Sequence, residues 1–130
     1  MKNIILSIVL VISLISCSDA QQVKQVDVKT FKDLTAKLSN EIILDVRTNS
    51  EVAQGIIANA KQIDFNSPNF DANIEKLDKT KPIFVYCAVG GRSGQASKIL
   101  AKKGFKQVYN LDGGINAWRS AGNATIALKK

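Results

Sequence analysis

Apolar residues recur along this chain in short runs separated by polar turns. Val23, Val26 and Val28 set against Lys24, Asp27 and Lys29 predict an edge strand. Phe31, Leu34 and Leu38 then fall at helical spacing, with Thr30 or Asp27 as the cap. The unbroken run from Glu41 to Val46 suits a central parallel strand buried on both faces. Asn49 and Ser50 open a short helical turn through Gln54 that Gly55 closes. Alternation from Ala60 to Phe65 predicts another strand, and Ser67-Pro68-Asn69 a loop and cap before a helix carrying Phe70, Ile74 and Leu77. Pro82 to Tyr86 is a β-branched and aromatic strand, Gly94 to Lys102 a helix stopped by Gly104, and Gln107 to Leu111 a further strand. After the turn Asp112-Gly113-Gly114 comes a last helical piece, Ile115 to Arg119, whose Trp118 belongs to the core. Strands and helices alternate with short connections, which predicts an α/β domain: a mostly parallel five-stranded sheet flanked by helices on both faces.

In such sheets ligands bind beyond the carboxyl ends of the central strands, where Asp45 and Cys87 are expected. The segment Cys87-Ala88-Val89-Gly90-Gly91-Arg92-Ser93 reads as a tight loop between strand and helix. Two glycines let its N–H groups curl inward and the helix start adds unpaired donors, so the loop is a candidate anion cradle. Helix N-termini and a nearby arginine also favour the thiolate, the nucleophilic form of Cys87. The chain has no histidine, which excludes Cys–His and Ser–His–Asp mechanisms and a histidine-bearing zinc site. Activation of Cys87 must come from backbone dipoles and cations, and no metal or cofactor is expected.

The first residues have a different character. Met1-Lys2-Asn3 is a short basic start, and Ile4 to Ile15 is apolar apart from Ser7 and Ser13. That stretch is shorter than the roughly 20 residues that span a bilayer and predicts a signal-peptide core. Leu14-Ile15-Ser16-Cys17 resembles the lipobox of bacterial lipoproteins. The resemblance implies a signal peptide over 1–16, a lipidated Cys17 with a tether over 17–25, a folded domain over 26–122 and a tail over 123–130. It also implies an extracytoplasmic, periplasm-facing protein held by a lipid anchor at a membrane of the bacterial cell envelope. The alternative is an ordinary secretory signal whose cysteine is incidental. With Cys17 lipidated, Cys87 is the one remaining thiol and no internal disulfide forms.

The net charge of +7 is uneven: from Lys76 onward eleven Lys or Arg stand against Asp78 and Asp112 alone. This charge either draws anionic substrates to the loop or forms a solvated surface near an anionic membrane. The basic residues are not interleaved with aromatics, which argues against nucleic acid as a partner.

Four motifs in order carry a family resemblance: Leu44-Asp45-Val46-Arg47, the stretch Glu51 to Ala60, Val85-Tyr86-Cys87 with its loop, and Leu111 to Ile115 with Trp118 and Ala121-Gly122. Together they are similar to the single-domain rhodanese-like sulfurtransferases, from about Val26 to Gly122. The resemblance implies a thiol that takes a sulfane sulfur from thiosulfate or a protein or organic persulfide, holds it as a persulfide, and passes it to a thiol or cyanide. Cys87 matches the nucleophile, the backbone of Ala88 to Ser93 the substrate cradle, and Arg92 the cation ending the loop. Four residues separate Cys87 from Arg92, the compact spacing of sulfurtransferases; phosphatases of the related fold have a loop longer by one residue.

Two positions depart from the family pattern. Ile56 stands where a histidine is common and is read as packing. Ala88 and Val89 stand where thiosulfate-using members often carry basic side chains, so weak thiosulfate activity is expected. Asp45 and Arg47 either orient the loop or touch substrate, or else form an ion pair tying the strand end to a neighbouring segment. Gly113 and Gly114 either help close the pocket or simply make a turn. The Ser93 hydroxyl caps the helix, donates to substrate, or both. The competing functions are a rhodanese-like binding or redox-sensing module without turnover, and a cysteine phosphatase.

Overall fold

The computed structural model describes residues 23–129. Ile42–Asp45 (β2) and Ile83–Tyr86 (β4) are buried at every position, as strands covered on both faces must be. They pair with each other inside a five-stranded sheet of order β1-β5-β4-β2-β3, where β1 is Val23–Val26, β3 Lys61–Gln62 and β5 Val108–Leu111. Every pairing is parallel, so all carboxyl ends of the strands share one edge. The helices are α1 (Val28–Lys37), α2 (Asn49–Val52), α3 (Phe70–Ile74), α4 (Gly91–Lys102) and α5 (Gly114–Ser120).

Period-two alternation divides the apolar residues between two cores. Ile42, Leu44, Ile83 and Val85 pack with Phe70 and Ile74 of α3 and Ala96 and Leu100 of α4. Ile43, Phe84 and Tyr86 face Phe31 of α1 and Ile115 and Trp118 of α5. Trp118 is a core residue, 8% exposed, and its ring meets Phe31 edge-on.

Four boundaries differ from the sequence reading, each for a local reason. Helix α1 begins at Val28 because the Asp27 carboxylate accepts the N–H of Thr30 at 2.7 Å, so the alternating run stops at Val26. Helix α2 is capped by Thr48, which forms a capping box with Glu51. Strand β3 is two residues long because its partner β2 ends at Asp45; Ile63 and Phe65 still donate to the carbonyls of Asp45 and Val46. Helix α4 starts at Gly91, ahead of Gly94, because Gly90 at φ 110° turns the chain directly into it.

At the two ends of the domain, Val23 to Gln25, which the lipobox resemblance leaves in the tether and the alternation places in an edge strand, lie in β1 beside β5. Past α5 the chain folds back: Ile56 and Ile126 exchange backbone hydrogen bonds of 2.8 Å each way, and Trp118 Nε1 donates to the Ala124 carbonyl. Ile56 is 3% exposed and packs, as expected for an isoleucine in that position. Cys17 and the leader lie outside the described residues.

Candidate active site

Strand β4 ends at Tyr86 and delivers Cys87 to the carboxyl edge of the sheet, with α4 beginning four residues later. The Cys87 side chain is buried, and its Sγ accepts the backbone N–H of Gly90 at 3.1 Å and lies 3.3 Å from the Ser93 hydroxyl. Burial pushes the thiol pKa up. Hydrogen bonds from the Ser93 hydroxyl and from the backbone N–H groups of Ser93, Gly90 and Val89 outweigh it, and the net shift is downward. Helix α4 has no side-chain cap, so the cysteine sulfur stands where a capping oxygen would be. The backbone N–H groups of Gly91 and Arg92 find no protein acceptor among the described residues, which leaves them for an anion bound at Sγ.

The loop is held in this inward-facing form from behind. Ile115 and Asn116, in the first turn of α5, donate their N–H groups to the carbonyls of Cys87 and Ala88 at 2.9 and 3.1 Å. Those carbonyls therefore point away from the sulfur and the N–H groups toward it. The contact requires Gly114: a Cβ there would sit 2.5 Å from both carbonyl oxygens, at φ 59°. Gly114 thus serves the cradle as well as the turn, whereas a Cβ at Gly113 would meet Ala117 of α5 itself. On the other side Asn110 of β5, buried, donates through Nδ2 to the Gly90 carbonyl at 3.4 Å and to Gln25 at 2.9 Å.

Arg92 does not stand as an isolated cation. Its guanidinium makes a bidentate pair with Glu51 of α2, at 2.8 and 2.7 Å. The Arg92 guanidinium brings the Glu51 pKa down to about 2 against partial desolvation, and hydrogen bonds from Thr48 reinforce the shift. Glu51 is a site residue that the sequence reading did not single out. Asp45 and Arg47 take the structural role: both are buried, with Arg47 Nη2 2.7 Å from Asp45 Oδ2 and 2.8 Å from the Gly55 carbonyl. Neither side chain hydrogen-bonds the Cys87–Ser93 loop among the described residues; Arg47 reaches the Glu51 carbonyl at 3.4 Å and so steadies α2. Ser93 sits within α4 and is not its cap; its hydroxyl lies between Cys87 Sγ and the Gly90 carbonyl, 3.2 Å away. Ala88 is half-buried and Val89 is 67% exposed, so the rim over the sulfur is apolar.

Residues 27–121 match the rhodanese-like domain family. The chain belongs to that family. A sulfurtransferase of Allochromatium vinosum is 31% identical over 105 residues, spanning 81% of this chain and 96% of that protein. The thiosulfate sulfurtransferase GlpE of Coxiella burnetii is 37% identical over 79 residues, 61% of this chain and 72% of its own length. The crystal structure of a rhodanese-like domain protein from Staphylococcus aureus superposes with a TM-score of 0.69 at 28% identity, covering 82% of this chain and 99% of that one. Within the rhodanese-like fold the catalytic candidates are therefore Cys87 and its loop.

Proposed function

We propose that this rhodanese-like domain is a sulfurtransferase that works through a Cys87 persulfide and prefers a persulfide donor, organic or protein-borne, to thiosulfate. The carrying observation is the cradle itself: a buried sulfur surrounded by backbone N–H donors and one hydroxyl, with its nearby arginine already paired. The Cys87 thiolate attacks the outer sulfur of a donor R–S–SH. A bond forms between Sγ and that sulfur, the S–S bond of the donor breaks, and R–S⁻ leaves with the electron pair. A thiolate acceptor then attacks the outer sulfur of the Cys87 persulfide, and Cys87 departs as thiolate; cyanide in that role gives thiocyanate. The N–H groups that favour the thiolate also favour the persulfide anion in the same place.

Donor preference follows from charge. Thiosulfate is a dianion, and a neutral Glu51–Arg92 pair with an apolar Ala88–Val89 rim leaves it only the backbone N–H groups and the Ser93 hydroxyl. A persulfide carries at most one charge and brings an organic group that suits the rim. Donor treatment followed by mass spectrometry tests the reading: Cys87 gains the mass of one sulfur with a persulfide donor, and Cys87→Ser gains none. A folded protein that takes up no sulfur from either donor, or one that instead hydrolyses an aryl phosphate through Cys87, would overturn it.

The site is further proposed to work outside the cytoplasm, tethered through lipid on Cys17. Cys17→Ala is expected to move the protein from the membrane fraction to the soluble one, and its retention there would refute the anchor.

A further inference from the structure

The parallel sheet separates charge along its own axis. At the amino ends of the strands lie the segments that close α1, precede β4 and follow α4, and they carry Lys37, then Lys76, Lys79 and Lys81, then Lys102, Lys103 and Lys106. The acids of the same segments are Glu41, Glu75 and Asp78; Glu75 is shared by Lys79 and Lys103, and Lys103 also lies 3.8 Å from Asp71 of α3. Lys37, Lys76, Lys81, Lys102 and Lys106 make no ion pair among the described residues, and all but the half-buried Lys81 are exposed. At the opposite edge, around the cradle, the connections that follow β2, β3, β4 and β5 contain no lysine, and Asp27, Asp64 and Asp112 stand there; the cations of this edge are Arg92, paired with Glu51, Lys29 in the first turn of α1, paired with Asp33, and Lys61 of β3.

We propose that the lysine-bearing end is a contact surface for an anionic phospholipid bilayer, which holds the domain with the Cys87 cradle directed away from the membrane. The proposal rests on the reading of Cys17 as a lipid anchor; the charge separation is independent of it. The chain enters β1 at Val23, and Val23 pairs with Val108, two residues after Lys106. Six peptide steps join Cys17 to Val23, a reach of at most about 20 Å. That is shorter than the diameter of a domain whose radius of gyration is about 13 Å, so the end at which the chain enters is the end held near the bilayer. There the lysines come within the roughly 8 Å over which charges attract at physiological salt. The three aspartates at the far edge would meet the same surface only with the domain turned over, and would then be repelled by it, which turns attraction into orientation.

The chemistry favours lipid over a protein partner. Lysines are point charges on flexible stems, suited to a diffuse layer of headgroups. A protein interface needs an apolar centre, and among the described residues the exposed large hydrophobics, Val89, Ile126 and Leu128, all lie outside this end.

The test uses the lipidated full chain on vesicles of phosphatidylcholine alone or with an equal part of phosphatidylglycerol, an amine-acylating reagent, and mass spectrometry of individual lysines. Lys37, Lys81 and Lys106 are expected to react several-fold more slowly on phosphatidylglycerol vesicles, with Lys29 and Lys61 unchanged, and the protection is expected to vanish in high salt. Cys87 is expected to alkylate equally on both. A triple variant, Lys37→Glu with Lys81→Glu and Lys106→Glu, is expected to lose protection at Lys76 and Lys102 while loading sulfur at the parent rate. Equal acylation of both lysine sets on both vesicles overturns the proposal, as does protection that appears only when an envelope protein is added. Retention on pure phosphatidylcholine reads the anchor alone. A chain that is not retained there but shows salt-sensitive protection with phosphatidylglycerol overturns the anchor and keeps the surface.

Discussion

Burial opposes a thiolate, and Cys87 is 1% exposed, yet its proton is held less tightly than that of an ordinary thiol. The difference lies in oriented donors, of which the Ser93 hydroxyl is the one a substitution can remove. Ser93→Ala is therefore expected to move the inflection of Cys87 alkylation to higher pH, slowing the reaction several-fold at neutral pH but not in alkali, as read by iodoacetamide kinetics. The other charge of the site is set by Glu51. Removing its carboxylate frees the Arg92 guanidinium for a dianion, so Glu51→Gln is expected to raise kcat/KM for thiosulfate several-fold relative to that for a persulfide; a loss with both donors would mean that Glu51 only braces α2. Cys87, Gly90, Arg92 and Ser93 were legible in sequence because a strand, two glycines and a helix start are contiguous there. Glu51 was not, because its partner is 41 residues away. Its Thr48-x-x-Glu51 spacing is a capping-box signal that names the helix start and says nothing of the cation.

The cradle is shaped between elements: the first turn of α5 takes the carbonyls of Cys87 and Ala88 and so aims the loop's N–H groups at the sulfur. Gly114→Ala forces a methyl group into those carbonyls at a positive φ, and strain with overpacking is expected to cost about 2–4 kcal/mol. Denaturant unfolding would read the cost, and sulfur loading would fall with it because the carbonyls are displaced. At α2, Thr48→Ala removes a cap and is expected to cost about 1 kcal/mol, while loosening Glu51 from Arg92. The glycine turn before α5 is legible in the sequence but its purpose is not, since nothing local says which backbone approaches a glycine. The start of α4 is hidden in the same way: Gly91, Arg92 and Ser93 look like loop by composition, and the helix reaches back to them because Gly90 alone makes the turn.

Alternation of strand and helix was enough to read a parallel sheet with both faces covered, but a count of charges along the chain leaves open where in space the positive charge lies. The chain from Lys76 onward contains both the cradle and most of the lysines; parallel topology sends each strand toward the cradle and each return toward the opposite edge, so the two separate in space. The cradle therefore relies on its own pair, Glu51–Arg92, which also joins α2 to α4 across the molecule. That link has a pH signature. Folding lowers the Glu51 pKa from 4.5 to about 2, so its stabilisation is complete above about pH 4.5 and drains away as the pH falls toward 2. The shift corresponds to at most about 3 kcal/mol. With the Glu51 side chain 32% exposed, solvent screening reduces the expected contribution to about 1–2 kcal/mol. Comparing urea midpoints of the parent and Glu51→Gln isolates it, because the exposed acids Asp27, Asp33, Glu75 and Asp78 are common to both proteins and cancel. Between neutral pH and pH about 3 the parent is expected to lose more stability than the variant, and the gap between them to close as Glu51 protonates. Parallel losses would place the pair in solvent, where it leaves donor choice to the backbone cradle alone.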